Sequence, residues 1–176
     1  GTGRAYGLEI FAQQKLLDRL YFLGAYTLSK SSFAAGDALL RPSAWDRRHA
    51  LDLTSGFRPG GGWELGGKIR WLSGLATTPW NLQASEESYA VTGRGVPDWN
   101  RIGEIRTPGY VRLDLRVDRR FSRAGWNAVL YVDLQNVLNR QNVVGFTYTE
   151  NPAYPDRVMP IDGSGFLPTF GFSIEF

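Results

Sequence analysis

In the window from Val111 to Phe121, Val111, Leu113, Leu115 and Val117 alternate in strict period two with Arg112, Asp114, Arg116 and Asp118. A repeat of two is that of a β-strand, because successive side chains leave a strand on opposite faces. The stretch therefore reads as a strand with one apolar and one charged face. After a break at Ser122 to Gly125 the pattern resumes. Trp126, Ala128, Leu130, Val132 and Leu134 now face Asn127, Val129, Tyr131, Asp133 and Gln135, which completes a hairpin.

The same unit occurs upstream. Leu51, Leu53 and Phe57 alternate with Arg48, Asp52, Thr54 and Arg58; Pro59-Gly60-Gly61-Gly62 turns the chain, and Trp63, Leu65, Ile69 and Trp71 return against Glu64, Lys68 and Arg70. Leu51-Asp52-Leu53 matches Leu113-Asp114-Leu115, Phe57 matches Phe121, and Gly62-Trp63 matches Gly125-Trp126, so the two hairpins read as repeats of one unit. A further hairpin is expected from Ala5 to Leu16, turning at Leu17-Asp18-Arg19 into Leu20 to Ser31, whose second arm is apolar on both faces. The final strand sets Phe170, Phe172, Ile174 and Phe176 against Thr169, Gly171, Ser173 and Glu175. About seven strands result. Tight turns alternate with long connections at Ser32 to Arg47, Thr78 to Thr107 and Leu138 to Phe166, rich in Gly, Pro, Asn, Asp, Trp and Tyr. The window Val143 to Tyr148 is short, follows an Asn-rich turn, and is expected to be part of the last long connection; a strand there would give an even count.

Such strands suit either a soluble β-sandwich, its apolar faces packed together, or a set of membrane-spanning strands. Two features favour the membrane. The strands exceed the five or six residues usual in globular proteins. Aromatic residues also gather where strands meet short turns: Phe57 and Trp63, Phe121 and Trp126, and Phe176 at the end. That is where an interfacial girdle belongs, whereas a sandwich core would hold its largest side chains midway along the strands. No apolar run approaches the roughly 18 residues of a spanning helix, but a spanning strand needs only about 9 to 11.

Composition narrows the chemistry. With no cysteine and a single histidine, His49, among 176 residues, thiol catalysis, disulfides and thiolate-bound zinc are excluded, and neither enzyme activity, cofactor nor metal is expected. Seventeen of the twenty basic residues are Arg, yet Arg and Asp alternate instead of accumulating one sign. Arg112, Asp114, Arg116 and Asp118 are thus expected to form a ladder of ion pairs on the polar face, and no nucleic acid is expected as partner. Gly62 to Ile69 carries the glycines and lysine of a phosphate-binding loop, but ends in Ile where the motif needs Ser or Thr and reads as strand. Asp46 and Asp52 flank His49, though no serine is tied to it by motif; an interfacial histidine is the plainer reading. Glu86, Glu87 and Asp98 lack the alternating spacing of a calcium loop.

Three segments carry a resemblance. Trp45-Asp46-Arg47-Arg48-His49-Ala50-Leu51 with the glycine turn after it, Leu134-Gln135-Asn136-Val137-Leu138-Asn139-Arg140, and Leu167 to Phe176 together resemble the barrel of TonB-dependent outer-membrane receptors. The resemblance implies an all-β fold: antiparallel transmembrane strands from the C-terminal portion of a barrel of about 22 strands, with short periplasmic turns and long extracellular loops. It implies a Gram-negative outer-membrane location and active uptake of an iron chelate, vitamin or carbohydrate. The partners implied are outer-membrane lipid, the remaining barrel and plug of the same receptor, and TonB through an N-terminal part.

Residues 1–176 are expected to be only the C-terminal segment, with the plug absent and Gly1 a cut end, since no leader is visible and the odd strand count leaves Gly1 at the long-loop side. The closing strand, Phe170, Phe172, Ile174 and Phe176, resembles the signal read by the barrel-assembly machinery. Trp80, Tyr89, Trp99, Tyr148 and Tyr154 lie in the long connections and are candidate ligand-stacking residues; packing of the loops on each other is the alternative use of those rings. A small self-contained barrel with a structural or adhesive role, and a soluble sandwich binding module, are the competing readings.

Overall fold

The structure, a computed structural model, describes the backbone of residues 1–176 and every side chain except that of Leu16. In chain order the elements are β1 (Thr2–Leu17), β2 (Leu20–Ala34), β3 (Arg41–Pro42), β4 (His49–Gly60), β5 (Trp63–Leu72), β6 (Ala76–Thr77), α1 (Leu82–Thr92), β7 (Ile105–Arg106), β8 (Tyr110–Arg123), β9 (Trp126–Gln135), β10 (Val143–Tyr148), β11 (Val158–Asp162) and β12 (Leu167–Glu175). Seven long strands form one antiparallel sheet in the order β1-β2-β4-β5-β8-β9-β12, with β3 added beside β2. Chain order and sheet order thus agree, each long strand lying beside the next. β1 and β12 each have one neighbour only, so the sheet is open at both edges.

Register turns the alternation of single strands into two continuous faces. Leu17 pairs with Leu20, Leu20 with Phe57, Phe57 with Leu65, Leu65 with Val117, Val117 with Val132, and Val132 with Phe170. One apolar row therefore crosses all seven strands, and a one-residue slip anywhere would turn that strand's apolar residues to the other side. The apolar face is not covered. Among the described residues only Ala34, Ala76 and Tyr148 are buried apolar side chains, whereas Leu8, Ile10, Leu53, Ile69, Leu130 and Phe172 stand exposed. A soluble domain of this length would bury a core beneath such a face.

The turns sit where the apolar rows end. Asp18 turns β1 into β2 at φ 53°, and Gly125 turns β8 into β9 at φ 90°. Gly62, at φ 82°, has a second reason to lack a side chain, because a Cβ there would run into the Arg120 carbonyl oxygen on the next hairpin. On the polar face Gly56 serves differently: the Tyr21 ring lies over it, in the space a Cβ would fill, and the Tyr21 hydroxyl donates to Glu64 at 2.9 Å.

The long connections are folded. α1 begins at Asn81, whose side chain accepts from the Ala84 N–H at 3.1 Å, and ends at Gly93 in the left-handed conformation. The sequence reading has this stretch as loop, although an Asn cap and a terminal Gly are helix signals; its weak amphipathic pattern hid the helix between them. The expectation for Val143 to Tyr148 is also corrected, since a strand forms there. It does not lengthen the main sheet, because β10 pairs with β11 in a separate hairpin. The main sheet keeps its seven long strands.

Candidate functional site

Three groups of residues stand out, on the polar face, among the long connections and along the closing strand. On the polar face, Arg112 donates to Asp114 at 2.6 Å and to the Gln135 side chain at 2.9 Å, and Asp114 accepts the Asn136 N–H at 2.8 Å. Arg116 grips both oxygens of Asp118, at 2.8 and 2.9 Å, with its guanidinium 4.1 Å from the centre of the Tyr131 ring. These pairs run along β8 and not across it, since residues two apart share a face. Glu64 is a separate hub, taking bonds from Arg58 at 2.9 Å, Tyr21 at 2.9 Å and Arg120 at 3.3 Å. Lys68, the lysine of the apparent phosphate loop, lies on the same face in β5 opposite Asp114.

At the long-connection end, Asp46 is the fastening point. It is 2% exposed, accepts the Ser31 N–H at 2.8 Å and forms an ion pair with Arg106, which also donates to the Asp46 carbonyl at 3.0 Å. Burial works to raise its pKa, but the Ser31 N–H and the Arg106 guanidinium outweigh that and hold the carboxyl below its usual value. Asp46 thus ties the first long connection to the second. Asn142 ties the third to β8, donating to and accepting from the Val111 backbone at 2.8 and 2.9 Å. Asn136 and Asn139 adopt φ of 50° and 48°, where Asn is among the few non-glycine residues at ease. Asn136 then donates to the Arg140 and Ser164 carbonyls at 3.0 Å each.

The candidate stacking residues divide. Tyr148 is buried and meets Tyr89 edge to face at 5.3 Å between ring centres, and Gly95 packs against both Tyr148 and Trp80. These three rings join α1 to β10. Trp99 is 65% exposed, and Tyr154 is half-buried beside the turn that begins at Asn151. On the closing strand, Phe170, Phe172, Ile174 and Phe176 are all exposed on the apolar face.

His49 and its neighbours belong to that face as well. Its Nδ1 lies 2.8 Å from the Tyr26 hydroxyl, and its ring stacks between Tyr26 and Trp71, with centres 6.2 and 5.9 Å away. Neither nearby acid is available to it, as Asp46 holds Arg106 and Asp52 holds Arg70 at 2.6 Å. Sequence reasoning named aromatics at the short-turn end and missed this second group at the other. The signal was present: Trp71 occupies an apolar-face position near the far end of β5, and Tyr26 and Trp71 both pair with Leu51 on that face. Among the described residues no cluster of three metal-ligating side chains occurs.

Long antiparallel strands in sequence order, short turns at one end, folded loops at the other and an uncovered apolar face define a barrel-type sheet. Comparison by sequence gives no match, either to family models or to curated proteins. By structure, ten solved chains match. One is the ferric-catecholate import receptor Fiu from E. coli K12 in an open crystal form, with a TM-score of 0.62 at 16% identity. The match covers 98% of this chain and 21% of that receptor. The chain therefore has the fold of part of a receptor barrel, and spans about a fifth of the receptor's length.

Proposed function

We propose that this chain is the C-terminal portion of the barrel of a TonB-dependent outer-membrane receptor that actively imports a ligand such as an iron chelate, vitamin or carbohydrate. The observation that carries the reading is the fit of nearly the whole chain to the fold of an import receptor, on a sheet whose apolar face has no protein against it. On this reading the apolar face meets lipid and the polar face lines the lumen, where the Arg112–Asp114 and Arg116–Asp118 pairs lie. The long connections are extracellular. Plug, TonB contact and the other barrel strands are supplied by the rest of the receptor. The open edges of β1 and β12 are where those strands join, and the exposed Phe170, Phe172, Ile174 and Phe176 are the signal for the assembly machinery.

The two aromatic groups support a membrane position. Trp63 and Trp71 lie eight residues apart on one face of β5, a rise of about 27 Å. At the tilt of barrel strands this spans about 20 Å, close to the height of an outer-membrane apolar band. The test is tryptophan quenching in the complete receptor, reconstituted in vesicles with brominated acyl chains. Trp63, Trp71 and Trp126, retained one at a time, are expected to be quenched strongly, and Trp45 and Trp99 weakly. Equal quenching of all five, or recovery of the receptor in the soluble fraction of cells, overturns the assignment.

A further inference from the structure

Arg119 is a cation on the apolar face. It lies between Val117 and Phe121 on β8, paired with Trp63 on β5 and Leu130 on β9. Its guanidinium carbon is 4.9 Å from the Trp63 ring centre and 5.2 Å from that of Phe121, within reach of both π-faces. Its Nη1 lies beside Gly61 and Gly62 at the turn. Among the described residues it makes no ion pair and no side-chain hydrogen bond. The adjacent acids are occupied on the other face, Glu64 by Arg58 and Asp118 by Arg116. Trp63, Val117, Arg119, Phe121, Leu130 and Val132 line an open cleft of ≈ 380 Å³.

A charge on a lipid-facing strand costs about 2–4 kcal/mol at the bilayer midplane and almost nothing at the interface. The two rings hold Arg119 at the girdle, one residue pair from the turn, with its fork of donors unengaged. A guanidinium matches a phosphate in charge and in bidentate geometry. The cleft continues from it along aliphatic side chains toward the membrane interior. We propose that Arg119, framed by Trp63 and Phe121, binds the headgroup phosphate of one phospholipid, whose acyl chain lies along Val117, Leu130 and Val132. The proposal rests on the lipid-facing assignment of this face made above.

The test is native mass spectrometry of the complete receptor, delipidated in detergent and titrated with phosphatidylglycerol and with phosphatidylethanolamine. One lipid is expected to bind more tightly than the rest. Arg119→Gln should weaken that binding by about tenfold or more. Arg119→Lys should retain part of it, and Arg120→Gln, on the opposite face, should leave it unchanged. Millimolar inorganic phosphate should not displace the lipid; displacement by phosphate alone overturns the lipid as occupant. Equal lipid retention by wild type and Arg119→Gln, with both partitioning normally into membranes, overturns the site while leaving the receptor reading intact. A receptor that does not enter membranes at all overturns that reading and the site with it.

Discussion

The two ends of the sheet are built by different means. At the short-turn end the chain reverses within a few residues, at Asp18-Arg19, Gly61-Gly62 and Ala124-Gly125, and the turns need little beyond a backbone that tolerates positive φ. At the other end buried polar groups fasten the long connections: Asp46 ties the first to the second through Arg106, Asn142 ties the third to β8 at Val111, and Ser85 closes the second on itself at Val96. One end is therefore local in origin and the other is a network. Loss of Asp18 or Gly125 should strain one hairpin, while loss of one network residue should release several segments together.

Asp46→Ala gives the largest expected effect. It removes the partner of Arg106 and leaves the Ser31 N–H without its acceptor. Breaking a buried pair costs about 3–5 kcal/mol, and since the Arg106 side chain is 39% exposed the expected local loss is nearer about 2–3 kcal/mol. Hydrogen exchange should show faster opening of both 35–48 and 73–109. Faster exchange confined to 35–48 would show that Asp46 does not join the two. The same residue sets a pH dependence. Its carboxyl is held below its usual value, so the folded arrangement favours the ionised form. The contribution is complete above the unfolded pKa, about 3.9, and is lost as pH falls through the lower folded value. Protection of these loops should be flat from pH 8 to about 5 and decline below about pH 4. In Asp46→Asn that decline should disappear.

Asn136→Ala comes next. Asn136 is 2% exposed, stands at φ 50° and serves the carbonyls of Arg140 and Ser164. Alanine tolerates that φ poorly and leaves both carbonyls unbonded, for an expected loss of about 2 kcal/mol. Loop residues 136–142 and 163–166 should loosen together, read by limited proteolysis. Asn136→Gly relieves the backbone but not the bonds, so it should recover only a fraction of the protection. Full recovery would make Asn136 a turn residue and nothing more, like those at the opposite end.

How much of this was legible follows the same division. Seven strands, their faces, the short turns and the girdle of Phe57, Trp63, Phe121 and Trp126 follow from a period of two and from glycine, both local properties. α1 was missed because its ends are marked and its middle is not: Asn81 and Gly93 bracket a stretch with little amphipathic contrast. Asp46 was noticed for its nearness to His49, whereas its partner Arg106 is sixty residues away. Tyr89 and Tyr148 likewise could be named as aromatic loop residues, but no pattern in the sequence says that they meet. The three motifs that carried the family resemblance gain a physical account. Asp46 is the fastening residue, Asn136 and Asn139 are left-handed turn residues, and the terminal strand is the uncovered edge.

On the polar face Gly56 stands toward the short-turn end, paired with Tyr21 beside the first turn. The Tyr21 ring occupies the space of its missing side chain, so Gly56→Ala must push that ring aside and stretch its bond to Glu64. An expected loss of about 1–2 kcal/mol follows from overpacking. It should appear as faster exchange in β2 and β4 near the short turns, with the Asp46 network untouched. Tyr21→Ala combined with Gly56→Ala should cost little more than Tyr21→Ala alone.

The smallest expected effect is that of the ladder pair Arg116–Asp118, which has good geometry at 2.8 Å yet an Arg side chain that is 43% exposed. Exposed pairs yield about 0–1 kcal/mol after screening and side-chain ordering. A double-mutant cycle of Arg116→Gln and Asp118→Asn should therefore give a coupling below about 1 kcal/mol, reduced by added salt. Arg116→Gln should nevertheless cost more than the coupling, because it also removes the cation from the Tyr131 ring 4.1 Å away. A coupling of several kcal/mol would mean that the polar face is as dry and as tightly tied as the surroundings of Asp46. The contrast between a polar face of loosely held charges and a loop end fastened by buried ones would then be lost.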